Sequence, residues 1–266
     1  MVALDLIELA DLVRPEDLVA EIMRQNPAMP VPVPIEELAR LAGISKISAF
    51  ETTGFEGTLI TNPEKSDGHI FYNSRVPRPR QRFTIGHELG HFLLPWHRQA
   101  TFNCSADDLK TSKAGWELEA NRFSAELLMP QALLARECSP SREFDLADVI
   151  RVRDAFGTSM ESTIRRIIER SERAYAVVFS HENKVRYTNF SEYFTARLTV
   201  RKDSPLPAKS LSRLDTSSTD DWNEIDAHWW LDDSQRGVTL PEFVYEQTLV
   251  QDDGYKVTLL TYDPED

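Results

Sequence analysis

Between His87 and His91 the chain reads His-Glu-Leu-Gly-His. Two histidines four positions apart stand one above the other on a helix, so both imidazoles can address a single zinc ion. Glu88 beside them has the chemistry of a general base that takes a proton from water. A catalytic zinc needs three protein ligands and one open position, so the pentapeptide is incomplete by itself. The segment from Gly115 to Met129 offers two carboxylates for the third place, Glu117 and Glu119. On a helix Glu119 lies roughly 70° and Glu117 roughly 90° from the apolar stripe Trp116, Ala120, Phe123 and Leu127. Phase alone does not choose between them.

The surrounding pattern says how these residues are held. At roughly 100° per residue, Ile85, Leu89 and Phe92 form one apolar stripe with His87 and His91 nearly opposite. The helix is therefore expected to bury that stripe and turn both histidines to a cleft, with Glu88 about 80 to 100° further round. Gly90 costs about 1 kcal/mol relative to alanine inside a helix, so a close neighbour is expected against it.

Residues 1 to 45 read as helical, broken around Pro30, Pro32 and Pro34, with Gly43 as a stop. Gly57 to Thr61 and Gly68 to Asn73 flank a polar turn and suit a hairpin. The first of these strands, placed at the sheet edge beside the cleft, would hold an extended substrate by strand addition. Asp145 to Ser171 reads as two short helices parted at Gly157. Beyond Tyr175 come short apolar runs. The last two, Phe243 to Val250 and Tyr255 to Tyr262, flank an Asp-Gly turn and form a second hairpin. Trp222, Trp229 and Trp230 read as the core of this C-terminal part.

Composition narrows the setting. A chain of 266 residues, 41% of them hydrophobic, can bury one medium core and a smaller one. It has no apolar run of about 18 residues, and its first residues lack the basic start of a signal peptide. Its two cysteines, Cys104 and Cys138, are too few for a disulfide framework. These features imply a cytoplasmic protein without a membrane partner. The net charge is −13, and residues 203 to 266 account for −11 of it, which argues against nucleic-acid binding there.

The run Arg82-Phe-Thr-Ile-Gly-His87-Glu88-Leu-Gly-His91-Phe-Leu-Leu, followed by Glu119-Ala-Asn-Arg-Phe-Ser-Ala-Glu-Leu-Leu-Met-Pro130, resembles the ImmA/IrrE family of bacterial zinc metallopeptidases. The resemblance spans about Ile35 to Pro130. It implies that the glutamate of the Glu-Ala-Asn segment, Glu119, is the third zinc ligand beside His87 and His91, with Glu88 catalytic and Zn2+ as cofactor. It also implies a protein substrate, a helix-turn-helix transcriptional repressor whose cleavage switches on stress-response or mobile-element genes. Ser124 stands where the family has alanine. The C-terminal part is smaller than the GAF-like sensor of the radiation-response branch.

The expected architecture is α+β. It comprises a zincin-like metallopeptidase domain over 1–135, a helix-turn-helix-like segment packing on it over 136–173, and a small acidic α+β or β-rich domain over 174–266 that is sensory or partner-binding. The competing reading is a non-catalytic, zinc-containing protein–protein or DNA-binding regulator. Against DNA binding, the arginines of 142–173 are balanced by acids, leaving no basic face. Against a structural zinc, Glu88 would have no task beside a closed site. For oxyanion stabilisation His97 and Tyr72 are the candidates, each more readily explained as structural.

Overall fold

The computed structural model describes residues 2–97, 101–104, 113–234 and 240–263. These form two compact units, one comprising Met1–Leu133 with Arg153–Ser159 and the other Leu134–Val152 with Met160–Asp266. Each contains helices and one sheet, so the chain is α+β.

The first unit begins with α1 (Leu6–Leu9), α2 (Pro15–Gln25) and α3 (Ile35–Ala42). The Asp5 side chain caps α1 by accepting from the Ile7 N–H. α3 has Glu36 and Glu37 in its first turn and Arg40 in its last, as the helix dipole favours. It stops at Gly43, whose φ of 113° lets its N–H return to the Ala39 and Arg40 carbonyls. The sheet follows as β1 (Ile44–Phe50), β2 (Gly57–Thr61), β3 (Gly68–Asn73) and, after α4 (Arg78–Leu93), β4 (Thr101–Cys104). Its strand order is β1-β3-β2-β4. β2 and β3 make the expected hairpin, with Leu59 opposite Ile70 and Asn62 Oδ1 accepting from the Ser66 N–H across the turn.

Two strands of this sheet were not anticipated. β1 runs parallel to β3 and breaks register between Ile44 and Lys46. β4 pairs antiparallel with β2. β2 is therefore an interior strand with both edges paired, and the expectation of strand addition at β2 is corrected. Its backbone donors and acceptors are already used by β3 and β4. α5 (Lys113–Leu128) completes the layer against α4, burying Ala120, Phe123 and Leu127.

The second unit carries a five-stranded antiparallel sheet in the order β6-β5-β9-β8-β7. The strands are β5 (Tyr175–His181), β6 (Lys184–Phe190), β7 (Ser218–Asp226), β8 (Phe243–Val250) and β9 (Tyr255–Thr261). β8 and β9 form the second expected hairpin. Positive φ angles at Asp253 (55°) and Gly254 (76°) give its turn the twist the strands need.

Of the 136–173 segment, α6 (Gln131–Glu137) and α7 (Leu146–Phe156) are followed by α8 (Met160–Ile168). α8 lies on β5 and β6, burying Thr163, Ile164, Ile167 and Ile168. Among the three tryptophans expected in the core only Trp230 is fully buried, while Trp222 and Trp229 are half-buried. Cys138 is a free thiol that burial pushes up to about 11, and the Cys104 side chain lies outside the described residues.

Candidate metal centre

α4 is fixed from both sides and both ends. It starts after Pro77 with a second proline in its first turn, where a missing N–H removes no helical hydrogen bond. At its far end Lys65 Nζ donates to the His91 and Leu94 carbonyls, 2.6 Å each. β2 and β3 pack on one flank and α5 on the other.

Glycine permits the closest approaches. A Cβ at Gly86 would lie 2.6 Å from Ser124 Oγ, and one at Gly90 would lie 3.0 Å from Phe123 Cδ1. The neighbour expected at Gly90 is thus α5. Ser124, in place of the family's alanine, uses its hydroxyl to donate to the Phe83 carbonyl at 2.8 Å. At Gly57 on β2 a Cβ would fall 2.2 Å from Thr84 Cγ2 and 3.1 Å from Glu88 Oε1.

The expected apolar stripe is buried, with Ile85, Leu89 and Phe92 each under 5% exposed, and the two histidines are buried as well. His87 Nε2 and His91 Nε2 lie 3.0 Å apart. Glu117 Oε2 is 3.1 Å from His87 Nε2, and Glu117 Oε1 is 3.4 Å from His91 Nε2. Around a tetrahedral ion with bonds of about 2.0 to 2.1 Å, ligand atoms stand roughly 3.3 Å from one another. The His87, His91 and Glu117 atoms already have that spacing, and two imidazoles with one carboxylate are a metal-binding set.

The electrostatics agree with three groups facing one point. Burial opposes ionisation of Glu117, but hydrogen bonds with His87 and His91 outweigh it and hold the carboxyl well below its ordinary range. For His91, burial dominates and pushes the imidazole down to about 4, with the neighbouring His87 and His97 acting the same way. His87 is also opposed by burial, yet Glu117 and Glu88 together raise it above its usual value. His91 is thus the more firmly neutral of the two, the form in which an imidazole nitrogen can ligate.

Glu119, which the resemblance assigns as third ligand, points elsewhere. Its Oε2 accepts from Trp96 Nε1 at 2.7 Å and lies 2.9 Å from His97 Nε2. The cause is which face of α5 meets which neighbour. Glu117 and Asn121, four apart, share the face of α5 turned to α4, and Asn121 Oδ1 lies 3.0 Å from His87 Nδ1. Glu119, two positions from each, projects to the chain that follows α4. The i, i+4 pairing of Glu117 with Asn121 was the available sequence signal for this face.

His97 is fully buried, its Nδ1 2.9 Å from His91 Nδ1 and its ring stacked on Trp116 at 5.1 Å. It is therefore engaged behind the histidine pair. Beside the pair opens a cleft of about 430 Å³ lined by Phe55, Glu56, Phe83, Thr84 and Glu88, among others. Neither His97 nor Tyr72 is among its described lining residues. Glu88 thus stands in the wall shared by cleft and histidines. Arg80 pairs with Glu56 at the rim and lies over the Phe83 ring, 5.2 Å from its centroid.

Residues 50–167 match the model of the IrrE N-terminal-like peptidase domain. Over those residues the chain carries this domain, as its resemblance to the ImmA/IrrE family implies. The match contains all of α4 and α5, and so every residue of the centre described above. At sequence level the chain is similar to the "Uncharacterized immunity region protein 2" of Bacillus phage phi105. It is 31% identical over 86 residues, which cover 32% of this chain and about half (52%) of that protein. Among solved structures, a Mycobacterium tuberculosis transcriptional regulator superposes with a TM-score of 0.43 at 12% identity, covering 96% of this chain and 72% of the other.

Proposed function

We propose that the chain is a zinc-dependent endopeptidase of the HExxH type, with His87, His91 and Glu117 as ligands and Glu88 as general base. The observation that carries this reading is the convergence of two imidazole nitrogens and a carboxylate, at 3.0 to 3.4 Å from one another, beside a cleft that Glu88 lines. Zinc bound there supplies a Lewis acid that polarises a scissile carbonyl and brings the pKa of water toward about 7.

The protein's own groups do the rest. The Glu88 carboxylate takes the proton from the attacking water and delivers it to the leaving amine nitrogen. Gly57 lets β2 come close to Thr84 and the Glu88 carboxylate, because the strand and helix meet there without an intervening side chain. Phe55 and Phe83 give the cleft an apolar wall for substrate side chains, and the Glu56–Arg80 pair offers charge at its rim. The substrate is a protein, and the resemblance points to a helix-turn-helix repressor. The phage relative named as an immunity region protein supports this assignment. The protein is placed in the cytoplasm, where such a repressor acts, and no helix among the described residues is long and apolar enough to cross a membrane.

Glu88→Gln tests the reading. The variant is expected to bind one equivalent of zinc like the wild type and to cut a co-expressed repressor at least a hundredfold more slowly, about the contribution of a positioned general base. Cleavage at the wild-type rate by this variant would sink the mechanism.

A further inference from the structure

Resting on that ligand set, we infer that the Glu-Ala-Asn segment orients the metal site and does not ligate it. Glu119 acts through His97 to fix His91, and Asn121 fixes His87. The argument follows from which atoms can donate. An ionised carboxylate is acceptor-only, so the 2.9 Å contact of Glu119 Oε2 with His97 Nε2 requires the proton on His97 Nε2. A neutral His97 then has a bare Nδ1. The 2.9 Å contact between His97 Nδ1 and His91 Nδ1 in turn requires His91 Nδ1 to be the donor. His91 is left with its lone pair on Nε2, the atom that faces His87 Nε2 and Glu117.

The other histidine is set in one step. Asn121 Oδ1, 3.0 Å from His87 Nδ1, accepts its proton and leaves His87 Nε2 bare on the same side. Trp96 and Trp116 hold the longer chain still, the first by donating to Glu119 Oε2 and the second by stacking on His97. Without these partners each imidazole could carry its proton on either nitrogen and rotate. Only one tautomer in one orientation presents a lone pair to the metal.

Glu119 and His97 are thus positioning residues, and they act in series. The test measures zinc affinity of the full-length protein by competition with a chromophoric chelator, together with the His91 tautomer read by 15N NMR. Glu119→Leu and His97→Phe are each expected to weaken zinc binding about 10- to 100-fold, the usual effect of losing such a partner. Glu119→Gln keeps an oxygen acceptor for His97 and is expected to stay within about threefold of wild type.

The double variant His97→Phe/Glu119→Leu is expected to be no weaker than His97→Phe alone, because one chain is broken once. In the zinc-free protein, wild type and Glu119→Gln should show His91 protonated on Nδ1, and Glu119→Leu a mixture. Glu119→Leu with wild-type affinity, fully additive losses in the double variant, or an unchanged His91 tautomer would overturn the inference. Complete loss of zinc in Glu119→Gln would make Glu119 a ligand and overturn it too. Failure of the wild type itself to bind zinc would instead refute the proposed function beneath it.

Discussion

Glu246 should give the second unit a stability that falls as pH rises. Its side chain, on β8, is 1% exposed and accepts from Trp230 Nε1 at 3.1 Å, Thr248 Oγ1 at 3.3 Å and the Ser212 N–H at 3.4 Å. Burial nevertheless prevails over these donors and pushes its carboxyl up to about 7 from an ordinary 4.5. The nearby Lys256 does not compensate, since its ammonium is taken by Asn183, the Ser212 carbonyl and Asp215.

In the unfolded chain Glu246 loses its proton near pH 4.5, and in the folded one near 7, so between these values the folded state holds the extra proton. Stability is therefore highest below the unfolded value and is lost as pH rises through the folded one. Two and a half pH units at about 1.4 kcal/mol each come to about 3 kcal/mol. Glu246→Gln keeps an acceptor for Trp230 and removes the titration. Urea unfolding of the full chain, followed by tryptophan fluorescence from pH 5 to 8, should show the variant gaining about 2 to 3 kcal/mol on the wild type across the range. A wild-type-minus-variant difference that stays constant, or moves in the wild type's favour, would refute the reasoning.

Two further outcomes follow from the first unit. Gly57→Ala places a methyl group against Thr84 and Glu88, so it should destabilise by about 1 to 3 kcal/mol and slow cleavage while leaving zinc affinity nearly intact. Adding Thr84→Ser, which removes the clashing Cγ2, should recover part of both losses in paired urea and cleavage assays. Chelation should lower the thermal midpoint of the first unit by the loss of about 4 kcal/mol when free zinc stood at a thousand times its dissociation constant. Glu117→Ala should abolish that shift, and a chelator effect that survives this substitution would remove Glu117 from the ligand set.

What the sequence revealed was local. The histidine spacing, the Ile85/Leu89/Phe92 stripe and the Asp253-Gly254 hairpin each depend on residues within two helical turns or one tight turn of one another. Pattern reading therefore placed them correctly. β1 escaped because it sits at a sheet edge, half exposed, with its register broken after Ile44, so no clean alternation marks it. β4 is four residues long, too short for a period to show. The division of labour between Glu117 and Glu119 had a single sequence signal, the i, i+4 pairing of Glu117 with Asn121, which helical phase around the apolar stripe did not reinforce. Both glutamates flank the buried face of α5 at similar angles, and what separates them is where His97 and Trp96 come to rest after α4 ends. A tertiary neighbour decided what phase could not.

Glu117, Glu119 and Asn121 come from a single stretch of α5, seated against α4 at Gly86 and Gly90. A slip of α5 by one residue would carry all three about 1.5 Å along and roughly 100° around together. The contacts of these side chains with His87, His91 and His97 are therefore made or lost together, and they report on whether two helices are docked.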